Sequence, residues 1–332
     1  MFDFLKKLFS PKTPDFFPGI LDNAQTLGGA IPQSEVVGVF AEPVFPVRKE
    51  TDFPKYPYQY QSSSSSCVAH GMAKICTVLY FLKTGRIVKF SPGFYYTRRV
   101  NKPALGMWYE DIIKMAGQGN LPYDLLPSEG FGEKQMNDIK IEQYMLDCAD
   151  GLAIDELKWV DTQLNFKNTA STIEITKKPV KIWLSFGPGE FFGTKYPKIL
   201  GNDTRYHHEV VGVATGTING KQYIKIEDSA DKESLYEKFI DANFFKRCDL
   251  SRYPLRFKFD VSALPTYTGT IESMQDCLRA DGLFPKNIQS TPNWGPTTDE
   301  SVKKFCVKYG VTFVPGRKMW QELSEKLYLI YK

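Results

Sequence analysis

Four residues of this chain have types and spacing suited to nucleophilic attack on a carbonyl. Gln61 stands six residues before Cys67 in QSSSSSCVAHG, His208 follows Cys67 by 141 residues in HHEVVGVA, and Asp228 lies in the next strand-like run, YIKIEDS. A thiol is mostly protonated near neutral pH, and the thiolate is the nucleophile. Cys67 opens an apolar helical pattern, so a helix dipole favours its anion, and a facing histidine completes an imidazolium–thiolate pair. The thiolate attacks, the imidazolium protonates the departing amine, and water then cleaves the thioester with His208 as base. Asp228 is suited to accept from the far nitrogen of His208 and fix the ring. The backbone N–H of Cys67 and the side-chain amide of Gln61 supply donors for the oxyanion. His207 is the competing base. Side chains alternate along a strand, so register decides between the two, and we take His208. His70 reads as a helix-face residue rather than a ligand or base.

The elements that must position these groups can be read from periodicity. From Cys67 to Leu82 the apolar residues recur at helical spacing, and the pattern ends before Gly85. SPGFYYTRRV has the form of a capped helix start, with Ser91 as N-cap and Pro92 in the first turn. Trp108 to Ala116 forms a second amphipathic helix that stops at Gly117. From Val180 the period shortens. KPVKIWLSF, HHEVVGVATG, KQYIKIED and YPLRFKFDV are short, β-branched or aromatic, and bounded by turn residues. Asn219-Gly220 is a strong hairpin signal between two of them. Trp183 and Phe186 are expected to pack inside this strand-rich half. Helices first and antiparallel strands second describe an α+β domain with two lobes and a cleft. Residues 1–51, rich in Pro, Gly and Phe, read as an arm, with compact structure beginning near Asp52. SALPTYTG, after Val261, reads as a linker, and helical periodicity returns from about residue 268 to 332.

Bulk properties narrow the function classes. A net charge of +4 over 332 residues, with Lys and Arg dispersed, gives no basic block for a nucleic-acid partner. Three His and no CxxC speak against a zinc site, and we expect no cofactor. Setting Cys67 aside leaves Cys76, Cys148, Cys248, Cys277 and Cys306. That odd remainder argues against a disulfide framework and for synthesis in a reducing compartment, with Cys76 and Cys148 as small core residues. The N-terminus has no signal-peptide pattern and no segment is long enough to span a membrane. We therefore expect cytoplasmic synthesis. Phe2, Leu5, Leu8 and Phe9 fall on one helical face, suited to docking on a protein partner, a membrane surface or the chain's own body.

Taken together, these segments resemble the papain-like (C1) cysteine peptidases over roughly residues 52–262. QSSSSSC is similar to the family's Gln-x5-Cys element, SPGFYYTRR and GNLPYDLLP are similar to segments of its bacterial members, and YIKIEDS stands at its Tyr-x-x-x-x-Asn-Ser position. The resemblance implies a papain-like two-lobe fold, with a helical lobe and an antiparallel β-barrel-like lobe. It also implies a cysteine endopeptidase acting on a peptide or protein substrate through Cys67, His208, Asp228 and Gln61. In the family, the residue after the His borders the main specificity pocket, which would make Glu209 a substrate-binding residue selecting a cationic side chain. There are departures. Serines replace the usual glycines and disulfide Cys, Asp228 stands where Asn is usual, and Ala230 stands where a Trp shields that residue. Reduced shielding and an altered pH optimum are expected, with activity kept. The arm of residues 1–51 could cross the cleft. A degenerate, non-enzymatic binding protein and an intracellular processing peptidase are the rival readings.

TIESMQDCLRADGLF, NWGPTTDESVKKFCVKYGV and PGRKMWQELSEKL resemble the small three-helix peptidoglycan-binding domain. Met274, Gln275, Leu278, Trp294, Gly295, Thr298, Val302 and Phe305 occupy its pattern positions. Thr298 is expected to cap the helix containing Val302 and Phe305. This resemblance implies peptidoglycan as a second partner, with Trp294 in a binding role, and delivery to the cell wall in a lysin-like or virion-associated setting.

Overall fold

The computed structural model describes residues 30–31, 45–150, 152–259, 267, 269–316 and 318–331. The N-terminal helical face of Phe2 to Phe9, most of the arm, the side chain of Cys148 and most of the segment after Val261 lie outside the described residues.

The fold is α+β. Helix α1 (Cys67–Thr84) is buried from Cys67 through Tyr80, as expected of a helix apolar on every face. Gly85 ends it in the left-handed conformation at φ 71°. Around it lie α2 (Pro92–Tyr96), α3 (Tyr109–Gln118), α4 (Glu133–Asp138) and α5 (Gln143–Asp150). Ser91 caps α2 by accepting from Phe94 N at 3.3 Å.

The strands form one seven-stranded sheet in the order β1-β2-β7-β3-β4-β5-β6. The ranges are β1 (Ala30–Ile31), β2 (Ile154–Asp161), β3 (Val180–Phe186), β4 (Tyr206–Ile218), β5 (Lys221–Glu227), β6 (Glu237–Ile240) and β7 (Cys248–Phe259). All pairings are antiparallel except β1 with β2. Asn219 and Gly220 both take positive φ, 49° and 78°, the signature of the two-residue turn that matches strand twist. Central β3 is buried at all seven positions, covered by α1 on one face and by α6 (Phe166–Thr176) on the other side of the sheet. Ordered packing begins earlier than Asp52. Phe45 stacks on Phe166 at 5.7 Å, Arg48 N donates to Thr217 O at 3.0 Å, and Ala30–Ile31 borders β2. The chain upstream of Asp52 thus supplies backbone partners to strands that would otherwise carry an open edge.

Three C-terminal helices follow, α7 (Ile271–Ala280), α8 (Pro296–Tyr309) and α9 (Gln321–Ile330). Thr298 does not cap α8. Pro296, preorganised for a first turn, starts the helix three residues earlier than expected, after Gly295 as N-cap. The Thr298 hydroxyl instead accepts from Gln275 Nε2 at 2.9 Å. These helices share one apolar core with α1 through Met274, Leu278, Val302 and Phe305. A buried polar cluster marks the seam. Arg86, just past α1, pairs with the fully buried Asp281 and donates to the hydroxyls of Tyr331 at 3.0 Å and Tyr309 at 3.3 Å. Tyr309 donates to Asp281 Oδ2 at 2.6 Å. Gly282 beside it has φ 68°, and a Cβ there would stand 2.5 Å from Leu152.

Candidate active site

Cys67 is the first residue of α1, where the unpaired N–H groups and the dipole favour an anion. The five serines before it form a hydrogen-bonded turn. Ser64 N and Ser64 Oγ both donate to Gln61 O, at 3.1 and 2.6 Å, and Ser64 Oγ meets Ser66 Oγ at 2.6 Å. One residue of the run, Ser62, adopts φ 53°, a conformation costly for a residue with a Cβ. The turn is tied to the helical lobe by Glu133, whose Oε2 accepts from Ser65 N at 2.9 Å. Glu133 is itself held by Tyr96 at 2.9 Å and Arg99 at 3.2 Å. These contacts stand where the sequence lacks a disulfide, and among the described residues Cys67, Cys76, Cys248, Cys277 and Cys306 are free, buried thiols.

Gln61 bridges the lobes. Its N donates to Ser229 O at 2.8 Å and its Oε1 accepts from Ser229 Oγ at 2.6 Å. Nε2 donates one hydrogen to Ser64 O at 3.0 Å. A carboxamide carries two such hydrogens, and this bond uses one of them.

Of the two adjacent histidines, His208 is the one that meets Asp228, with Nε2 donating to Oδ1 at 2.6 Å in a fully buried pair. Cys67 is also among the groups that act on the His208 ring. Burial alone pulls His208 down, but Asp228, its hydrogen bond and Cys67 outweigh that and push it up to about 10. Burial likewise would raise Asp228, yet His208 and Lys238 hold its carboxyl below the usual range. Asp228 thus favours the protonated ring. His207 is exposed and pairs instead with Ser185 Oγ, 2.7 Å from Nδ1. His70 is buried, with Nδ1 at 3.0 Å from Ser66 O. A carbonyl only accepts, so Nδ1 carries the proton. Burial pushes His70 down to about 3, leaving it neutral and unsuited to act as the base.

The reduced shielding of Asp228 expected from Ala230 does not occur, since Asp228 is 1% exposed. Phe191 and Phe192 cover the His208 ring at centroid distances of 5.9 and 5.8 Å. They come from the loop between β3 and β4, which is organised by the buried Glu190. Its carboxylate accepts from Gly187 N at 3.0 Å, Leu200 N at 2.8 Å and Gly201 N at 3.1 Å, and pairs with Arg247 at 2.7 Å. Burial works against ionisation, but these donors prevail and hold Glu190 down at about 2.

Glu209 lies in the interior rather than at an open surface. His208 and Glu209 are consecutive on β4 and point to opposite faces. Glu209 is 1% exposed, pairs with buried Lys181 at 2.8 Å and accepts from Trp183 Nε1 at 2.9 Å. It lies against Gly71 of α1, where a Cβ would stand 2.0 Å from Oε1. Its charge is matched by Lys181 inside the molecule, which places it away from selection of a cationic substrate side chain. Trp294 lies far along the sequence in the C-terminal helices, half-buried, with Nε1 3.4 Å from Asp299 Oδ1. Among the described residues no group of His, Cys, Asp and Glu is arranged to hold a metal ion, and no helix is long and apolar enough to cross a membrane.

No family model and no curated protein matches the chain. Among solved structures it is similar to two of the proform of Amb a 11, a cysteine protease and major ragweed pollen allergen. The first is 16% identical over 61% of this chain at a TM-score of 0.46. The second is 16% identical over 66% of this chain at a TM-score of 0.44. The chain spans 66% of the length of the first and 73% of the second.

Proposed function

We propose that this protein is a cysteine endopeptidase with Cys67 as nucleophile, His208 as general acid and base, Asp228 as the group orienting His208, and Gln61 with Cys67 N as oxyanion donors. One observation carries the reading: a fully buried imidazole paired with Asp228 at 2.6 Å, whose charge is also influenced by Cys67 at the N-terminus of α1. That is the arrangement from which a thiolate attacks and an imidazolium delivers a proton to the leaving amine. The remaining thiols favour the assignment of Cys67. Burial pushes Cys76 and Cys277 up to about 12 and Cys306 up to about 11, where they are inert near neutrality.

The substrate class is a peptide or protein. We further propose that the C-terminal helices direct the activity to peptidoglycan, so that the protein acts on cell-wall peptides. The half-buried Trp294 and the bonded Gln275–Thr298 pair at its pattern positions favour this targeting.

Labelling by an epoxysuccinyl cysteine-peptidase inhibitor, read by intact mass, tests the chemistry. One adduct on wild type, none on Cys67→Ala and little on His208→Ala are expected. No adduct on folded wild type, and none on a chain starting near residue 45, would sink it. Sedimentation with purified peptidoglycan, comparing wild type with Trp294→Ala, tests the targeting. Absence of wild-type sedimentation rejects it and leaves a processing peptidase.

A further inference from the structure

Asp228 has two oxygens and two kinds of partner. Oδ1 accepts from His208 Nε2 and from Ala230 N at 2.9 Å. Oδ2 faces the ammonium of Lys238 at 3.6 Å. Lys238 sits in β6 with its whole side chain buried. Its Nζ donates to Thr194 O at 2.9 Å and Phe191 O at 3.3 Å, pairs with Asp231, and stands 4.9 Å from the Phe191 ring centroid. It therefore touches both the rear of Asp228 and the loop that covers His208.

A buried carboxylate with no counter-charge is a poor partner for a base that must cycle. In a low-dielectric site its full charge holds the imidazolium tightly, and an acid held tightly gives its proton slowly. We propose, resting on the peptidase reading above, that Lys238 is a positioning residue whose charge offsets that of Asp228, so that the Asp228–Lys238 pair orients His208 as a near-neutral dipole would.

The surroundings fit. The other titratable groups around the pair are Cys67 and His70 on α1, Lys74 on α1 paired with Glu227 on β5 at 2.6 Å, Glu209 on β4, Tyr236 beside β6, Tyr58 ahead of α1, and Asp231. His70 and Tyr58 are neutral near pH 7, and Glu209 is matched by Lys181. Asp231 shares Lys238, but it is partly open to solvent and also accepts from Gly193 N at 2.9 Å, so its charge is better screened than that of Asp228. Among the described residues, Lys238 is the ammonium that meets Asp228.

The test is the pH dependence of Cys67 alkylation by iodoacetamide on the full chain, with Cys67→Ala as blank. It needs no substrate. The alkaline limb of the profile reports loss of the His208 proton. In Lys238→Met the limb should rise by about one pH unit, because a cation that disfavoured the imidazolium is gone. In Asp228→Asn it should fall. In Asp228→Asn/Lys238→Met it should return to a position nearer wild type than either single variant. A limb in folded Lys238→Met that coincides with wild type overturns the inference and leaves Lys238 a fold residue. If Lys238→Met does not fold, the double variant and Asp228→Asn carry the same comparison, and coincidence of their limbs overturns it equally. A wild-type Cys67 that reacts no faster than a free thiol overturns the peptidase reading itself, and this inference with it.

Discussion

Of the buried clusters in which a carboxylate meets a cation, two stand one near each end of α1. At the Cys67 end, Asp228 meets His208 and Lys238. At the Thr84 end, Asp281 meets Arg86, Tyr309 and Lys308. Both remove charge from water, which is costly unless every partner is in place. They differ in what can titrate. Arg86 keeps its charge at any accessible pH, and its tyrosine neighbours are pushed upward by burial, so these groups do not change charge near neutrality. His208 is the member of the other cluster whose charge must change if the site turns over. One cluster fastens and the other is built to change state, and the difference lies in replacing a guanidinium by an imidazole.

Substitutions can break that contrast. The largest effect is expected from His208→Ala, which should slow Cys67 alkylation near pH 7 by about 10²–10⁴-fold while leaving the fold intact. A rate within threefold of wild type would show that the thiol needs no base. Next, Asp281→Ala should cost about 3–5 kcal/mol of stability, because it leaves Arg86 buried without its carboxylate. Denaturant melts measure this, and the alkylation rate of the folded fraction should not move. Third, Glu190→Gln removes the charge that gathers Gly187, Leu200, Gly201 and Arg247. It should destabilise by about 2 kcal/mol and, by loosening Phe191 and Phe192 over His208, lower the alkaline limb of alkylation as well. Loss of stability with an unchanged profile would make the loop structural only.

The pH dependence of stability sharpens the same point. His208 is raised in the fold from an ordinary value of about 6.5 to about 10. Its contribution is therefore complete below about 6.5 and is lost as pH rises through about 10. Thermal melts should show wild type losing stability across that window more steeply than His208→Gln, whereas Asp281→Asn should keep the wild-type slope. The smallest effect is expected at Ser62→Gly, within about 0.5 kcal/mol. Relief of the positive φ there is offset by the flexibility glycine adds to the unfolded chain.

Much of this site could be read from the sequence because its parts follow local rules. Cys67 begins an apolar helical pattern, Ser91-Pro92 starts a helix, and Asn219-Gly220 turns one strand into the next. Each signal needs only a few neighbouring residues. The errors came where distant segments meet. Glu209 looked like a rim charge because nothing near it in sequence shows that Lys181 and Trp183 lie across the sheet from it, or that Gly71 opens a space for it. Ala230 suggests reduced shielding of Asp228 because the rings over its partner His208, Phe191 and Phe192, come from another loop. Glu190 and Lys238 look like ordinary surface charges until the fold surrounds them. Glu209 beside His208 did carry a usable signal, since consecutive strand residues face opposite ways and a base facing the cleft turns its neighbour inward.

Helix α1 has eighteen residues, a rod of about 27 Å, with the thiol at its first residue and the Arg86 seam just past its last. A domain carried on a flexible linker sweeps a volume and meets targets at a concentration set by the linker's length. Here the rod and the shared core remove that freedom between Cys67 and the helices at residues 271–330. Whatever surface holds those helices therefore also fixes the distance at which a bond can be reached. Under the proposed peptidase and wall-targeting reading, the protein acts as a gauge, cutting at a set offset from its hold, and its progress across a polymer depends on release and rebinding rather than on local search.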